Sequence, residues 1–448
     1  MTNDSLSAGW FVDRSYGEIP PRKELETTPG LVKNSKMFYI FLGLTVIFGL
    51  TVRILYVATS KWNQGPPGGD YYYYYNFAIN FADGHFPVVP GTNIATASHP
   101  PLWPIVLAIG DRFGLGSVHD QSIINCVLGA LAVGVIGLIG RKLGGATTGI
   151  TAGLIASIYP GLWVYDGTSL AEPTEVLCFC LVLLLAYRYF EKPSSYRAAA
   201  VGAMIGLLVL ARSEQISLLL LLLAPLIFFR RNMRWKEKLI QFAVGCVAAV
   251  SVFSFWSIHV FLSFKNPEFF STQSGITLET ANCYATWNGP FTGYWNIGCA
   301  TDLVPNGDES QADSYYRSIA IKYIENNTSR LPYVLLAREG RMWNFWQPFQ
   351  QANLDQTEGW THYAALSDIW SYWLLWPFVV VGLIVVRKRK LPLSPLFAPI
   401  ILTILVAALI YGNQRYRASA EVVWVLCGAV GLLQTATWLS KSKNSDRK

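Results

Sequence analysis

Apolar residues gather in ten stretches along the chain: 38–58, 121–141, 145–164, 171–190, 197–212, 214–230, 239–263, 370–387, 395–412 and 419–440. A helix needs about 20 mostly apolar residues to cross a bilayer. Most of these stretches reach that length. The pair 197–212 and 214–230 is barely long enough, with Arg212 and Glu214 standing between its members. Charges are costly in lipid, so that junction belongs at a water-facing end or in a cavity. The pattern predicts an all-α polytopic membrane protein of about ten spans.

The polar stretches between spans divide the chain. Residues 1–37 form an N-terminal tail, and 38–263 a transmembrane core containing a first long loop at 59–120. Residues 264–369 form a mixed loop region, 370–440 the last transmembrane helices and 441–448 a C-terminal tail. Within the second loop, 314–346 reads as helical, with Tyr315, Ile319 and Tyr323, then Leu335, Leu336 and Trp343, at roughly helical spacing.

Charge orients this arrangement. Lys and Arg in short loops favour the cytoplasmic side. With ten spans, one side collects Arg22, Lys23, Lys33 and Lys36, then Arg141 and Lys142, and then Arg188, Lys192 and Arg197. It also takes Arg230, Arg231, Arg234, Lys236 and Lys238, the run Arg387–Lys390, and the terminal Lys441, Lys443, Arg447 and Lys448. Every cluster falls on the same side. The expectation is a multi-pass plasma-membrane protein with both termini cytoplasmic. The loop 59–120, the turn 165–170 and the region 264–369 then face outward. The last of these holds eleven acidic and six basic residues, the reverse of the cytoplasmic loops.

Composition agrees. The chain is 52% hydrophobic and only 14% charged, whereas soluble domains carry about 25% charged residues. Sixteen Trp and 23 Tyr exceed what a core needs and suit interfacial belts. The net charge of +7 is the topology signal, not a nucleic-acid face. Five cysteines, Cys126, Cys178, Cys180, Cys246 and Cys427, lie in apolar runs and act as small hydrophobes. Cys283 and Cys299 lie in an outward polar loop, where thiols oxidise, and read as a structural disulfide.

The candidate chemistry clusters on the outward side. Asp70 follows the break Gly65–Gly69 and precedes Tyr71–Tyr75. It can cap the following helix, act as general base on an acceptor hydroxyl, or hold a metal. His99, in His99–Pro100–Pro101–Leu102, sits at headgroup level, where it can meet a phosphate, bind a metal or remain a hydrogen-bonded surface group. Asp166 and Glu172 flank the short outer turn as helix caps or as a second functional acid. Arg212 and Glu214 pair with each other or hold and orient an anion. Arg415 and Arg417, around Tyr416, stand outside against the positive-inside bias, which favours a phosphate-binding role.

Together these residues carry a likeness. A span followed by an outer loop opening on Asp70, then Ala78–Gly84, then the His-Pro-Pro-Leu run resembles the membrane glycosyltransferases of the GT-C superfamily. Within it the chain is most similar to the protein O-mannosyltransferase and aminoarabinose-transferase group, the glycosyltransferase family 39 type. The segment Glu279–Ala300 resembles a loop of actinobacterial members. The likeness covers most of 38–440. It implies a GT-C helical fold and an inverting transfer of sugar from a polyprenyl-phosphate donor. It implies Asp70 as the catalytic carboxylate, with Asp166 or Glu172 as a second acid. It places Arg212 and its neighbouring acid Glu214 near the donor phosphate, with Arg415–Tyr416 as the family's Arg-Tyr pair. His99 and Arg417 are further candidates for that phosphate. A divalent metal on Asp70, His99 and Glu172 is compatible with this set. Expected partners are the lipid-linked sugar, membrane lipids and a glycan, lipid or protein acceptor. The alternative is a polytopic transporter or lipid flippase. Against it stand the lack of an internal repeat and the gathering of functional candidates on one face rather than at the midplane.

Overall fold

The structure is a computed structural model that describes residues 35–64, 69–89, 92–300 and 307–445. The tail before residue 35, the Gly-Pro break at 65–68 and the terminal 446–448 lie outside the described residues. The helices are α1 (Ser35–Ser60), α2 (Asp70–Ala82), α3 (Leu102–Arg112), α4 (Val118–Gly144), α5 (Ala146–Ile158) and α6 (Glu172–Glu191). Then come α7 (Ser195–Val209), α8 (Ala224–Phe228), α9 (Trp235–Ser263), α10 (Ser274–Ala281), α11 (Tyr284–Trp287) and α12 (Glu309–Asn326). The last are α13 (Leu331–Met342), α14 (Pro348–Leu354), α15 (His362–Lys388), α16 (Ser394–Leu409) and α17 (Ala418–Ser445). Extended pairing among the described residues is one bridge, Val88 with Ala95.

Among the described residues six helices are long and apolar enough to cross a membrane, and four shorter apolar ones accompany them. Each of the ten apolar stretches corresponds to one of these ten. The structure moves several boundaries. The stretch 145–164 is helical only to Ile158, because Tyr159 precedes Pro160 and takes an extended conformation. Short 3-10 turns at Pro160–Leu162 and Val164–Gly167 follow. The stretch 214–230 is composite: a 3-10 turn at Ser213–Ser217, a π turn at Leu219–Leu223 and then α8, which opens on Pro225. The predicted helix at 314–346 is two helices, α12 and α13, broken at 327–330 ahead of Pro332.

The spans pack through small residues, as close approach in a bilayer requires. A Cβ on Gly202 of α7 would overlap the Gly245 carbonyl of α9, and one on Gly382 of α15 would overlap the Cys427 carbonyl of α17. The two long polar regions meet at one end of this bundle. Thr272 N–H donates to the Ala97 carbonyl at 3.0 Å, and Gly412 N–H to Gly293 at 2.9 Å. Cys283 and Cys299 are disulfide-bonded, in the segment between α10 and α12.

Candidate active site

The ends of α2, α6 and α7, the loop before α3 and three 3-10 turns deliver charged side chains to one cluster. Asp70 is the first residue of α2, after Gly69 at φ +71°, a conformation that glycine adopts without strain. Its carboxylate makes no cap hydrogen bond. Instead Oδ2 accepts from Arg415 Nη2 at 3.0 Å, and Oδ1 lies 3.2 Å from His99 Nε2. The cap reading of Asp70 is therefore replaced by an ion-pair role.

His99 is held by the chain around it. Tyr73 O–H donates to its carbonyl at 3.1 Å, and the Tyr73 and Tyr74 rings stand 5.1 Å from the imidazole. Just beyond the two prolines, Leu102 N–H donates to the Leu210 carbonyl at 2.8 Å. That bond ties the loop to the end of α7, where Arg212 follows.

Arg415 is the hub. Its Nε donates to Glu172 Oε1 at 2.7 Å, its Nη1 to Glu358 Oε2 at 2.7 Å and its Nη2 to Asp70. Three carboxylates from three distant segments thus share one planar fork, a use to which a guanidinium is suited and an ammonium is not. Glu172 opens α6, one turn before Glu175. Arg212 lies 3.5 Å from Glu172, 3.4 Å from Glu175 and 3.6 Å from Glu214, and its guanidinium sits 4.8 Å from the Tyr416 ring. Glu214 is thus one of three partners of Arg212. Asn413 fixes the hub's backbone: its Oδ1 accepts from Arg415 N–H at 3.0 Å, and its Nδ2 donates to Glu358 at 2.9 Å.

Access is uneven. Glu172 is fully buried, whereas Asp70 keeps 28% of its side chain exposed. Asp70 is therefore a carboxylate that an incoming molecule can reach. Burial pushes its pKa up, but the His99 and Arg415 charges together outweigh that and hold it well below the usual carboxylate range. It is ionised throughout the neutral range.

Two predicted residues lie elsewhere. Asp166 is fully buried and pairs with Arg53 of α1 at 3.4 Å; burial pushes its pKa up to about 7 against the Arg53 charge. Between the two candidate second acids, only Glu172 joins Asp70. Arg417 is the larger correction. It points away from Asp70, and all three of its nitrogens are engaged, by Glu421, by Asp368 at 3.1 Å and by the Met342 carbonyl at 2.7 Å. A phosphate could reach it only by breaking a buried network. Arg417 anchors the turn that presents Arg415. Arg417→Met is expected to strand Asp368 and Glu421 and cost about 3–5 kcal/mol of stability, read as a lower unfolding temperature in detergent.

Two site residues were not anticipated. Glu175 carried a signal, since Glu172 and Glu175 are three apart and share a helix face. Glu358 carried none: it is one of eleven acids in 264–369, 57 residues from Arg415.

The proposed metal ligands are only partly assembled. Among the described residues no three His, Cys, Asp or Glu side chains are placed to hold one metal ion. Asp70 and His99 meet, but Glu172 reaches Asp70 only across Arg415, whose guanidinium occupies the centre a cation would need. This donor set does not fit a metal.

Residues 98–259 match the family described as dolichyl-phosphate-mannose-protein mannosyltransferase. The chain also aligns over 92% of its length with an archaeal oligosaccharyltransferase from Archaeoglobus fulgidus, solved with an inhibitory peptide and a dolichol-phosphate, at a TM-score of 0.56 and 16% identity. The fold is that of the GT-C glycosyltransferases. The same archaeal enzyme solved with Zn and sulfate aligns at a TM-score of 0.53 and 16% identity, over 89% of this chain and 49% of that one. The chain spans about half the length of those oligosaccharyltransferases, 52% in the first alignment. ArnT from Cupriavidus metallidurans bound to undecaprenyl phosphate aligns at a TM-score of 0.42 and 14% identity, over 90% of this chain and 79% of that one. No curated protein matches the chain at the sequence level. Six helices among the described residues are long and apolar enough to cross a membrane, as an integral membrane protein requires.

Proposed function

We propose that the chain is an inverting glycosyltransferase, moving a sugar from a polyprenyl-phosphate donor to an acceptor hydroxyl at the Asp70 end of the bundle. The observation that carries this reading is Asp70, solvent-reachable, ionised and sharing Arg415 with Glu172 and Glu358. Charge counting puts that end outside the cytoplasm, with both termini inside.

Asp70 takes the proton of the acceptor hydroxyl as its oxygen attacks the anomeric carbon. The bond from that carbon to the phosphate oxygen breaks on the opposite face, and its electron pair stays with the polyprenyl phosphate. A phosphate is already a good leaving group, so the step needs orientation and charge stabilisation more than a strong acid. Arg415 and Arg212 supply the positive charge, and His99 lies beside Asp70.

The ion pairs give the donor a second effect. A base held far below neutral pH is ready but weak. A phosphate arriving at Arg415 competes with Asp70 for its guanidinium. Asp70 then shares one of the two cations that hold its pKa down, and its affinity for a proton rises. Donor binding thus arms the base.

The stereochemistry of the product tests this. A single displacement inverts the anomeric carbon, which proton NMR of the isolated product reports. Retention would replace it with a double displacement. A second test concerns the metal. Transfer is expected to survive EDTA, because Arg415 takes the central place. Loss in EDTA, restored by Mg²⁺ or Mn²⁺, would instead put a divalent ion among Asp70, His99 and Glu172. No observation favours the transporter: the charged cluster lies at one end of the bundle, not at its middle.

A further inference from the structure

A groove opens at the other end of the molecule. It lies between the C-terminal end of α6, the 219–229 segment and the start of α16, and Phe190, Leu220, Leu226, Phe229, Pro392 and Phe397 form its apolar walls. Along α6 it is about 27 Å from Glu172, on the opposite membrane face from Asp70. Leu220 and Phe229 are exposed at 68% and 49%, so the groove communicates with lipid. The π turn at Leu219–Leu223 widens the helix beside it, and Pro225 and Pro392 interrupt the chain on either side.

Two cations complete the lining, Arg230 and Arg387, with the Ser394 hydroxyl near them and no carboxylate among the lining residues. Arg230 is fixed in place: its Nη1 donates to the Phe190 carbonyl at 2.7 Å, and its guanidinium lies 5.3 Å from the Phe190 ring. An apolar trough whose lining carries two guanidiniums and no carboxylate is complementary to a hydrocarbon chain bearing an anionic head.

We propose that this groove binds an anionic phospholipid of the leaflet opposite Asp70, with an acyl chain between α8 and α16 and the phosphodiester on Arg230 and Arg387. Guanidinium forks match phosphate oxygens geometrically. A zwitterionic lipid brings a cation to the same two arginines and binds less well. The site is separate from the Arg415 cluster and independent of the transfer reaction.

Native mass spectrometry of the full chain in detergent tests it, with phosphatidylglycerol and phosphatidylcholine of identical acyl chains as the probes. The wild type is expected to retain one phosphatidylglycerol with at least about tenfold preference. In Arg230→Gln/Arg387→Gln the preference falls toward one, while Arg231→Gln, outside the groove, keeps it. If the double variant does not fold, Leu220→Trp carries the test, because that side chain faces lipid and its enlargement narrows the groove; retention of phosphatidylglycerol then drops several-fold. Equal retention of the two lipids by the wild type would overturn the proposal. So would a preference that the double variant leaves intact, that Arg231→Gln abolishes as completely, or a retention that Leu220→Trp does not change.

Discussion

Asp70→Asn is expected to lower sugar transfer by about 10²–10⁴-fold, the range that a positioned general base contributes, while the protein stays folded in the membrane. The asparagine keeps the size of the side chain and loses its charge. Glu172 and Glu358 still hold Arg415, so the cluster survives the change. An initial-rate assay on purified variant and wild type, paired with an unfolding temperature in the same detergent, checks both halves. Full activity in the variant would remove Asp70 from the role of base. The pH dependence follows from the same contacts. The Asp70 pKa is depressed in the folded protein, so its carboxylate is charged from well below pH 4 upward. Its contribution to stability is complete above the unfolded carboxylate value of about 3.9 and is lost only as pH falls through the lower folded value. Between pH 5 and 8 the free enzyme should show no acid limb from this group.

Arg415→Met is expected to abolish transfer and also to destabilise the fold, by about 3–5 kcal/mol. It removes the one cation that Asp70, Glu172 and Glu358 share, and Glu172 is fully buried. Arg415→Lys should recover little, because one ammonium cannot replace a planar fork that meets three carboxylates. The triple variant Arg415→Met/Glu172→Gln/Glu358→Gln separates structure from chemistry. Removing the stranded charges should restore much of the unfolding temperature and none of the transfer. Restored transfer would show that Arg415 only balances buried carboxylates.

The sequence made some of this visible and hid the rest for physical reasons. The ten apolar stretches were legible because lipid imposes a length and an apolarity that few other environments do. Helix ends were less so: α5 stops at Ile158 because of Pro160, within a run that stays apolar to Val164. Most of the cluster was legible as types in suggestive places, with Asp70, His99, Glu172, Arg212, Glu214 and Arg415 all assigned to one face. Their connectivity was not. Which acid accompanies Asp70 depends on whether Asp166 meets Arg53, a contact more than a hundred residues apart in sequence. Arg415 and Arg417 look equivalent as two arginines around Tyr416, yet the 3-10 turn at Gln414–Arg417 sends one toward Asp70 and the other toward Asp368 and Glu421. Glu358 was invisible because nothing local distinguishes it from the other acids of its region.

The central claim is that this cluster performs chemistry on a lipid-linked sugar. The most direct measurement incubates the purified full chain with a panel of polyprenyl-phosphate sugars and acceptors and follows release of free polyprenyl phosphate. The wild type is expected to release polyprenyl phosphate from at least one donor, and Asp70→Asn to release almost none. No release from any donor, or equal release by the two proteins, would contradict it.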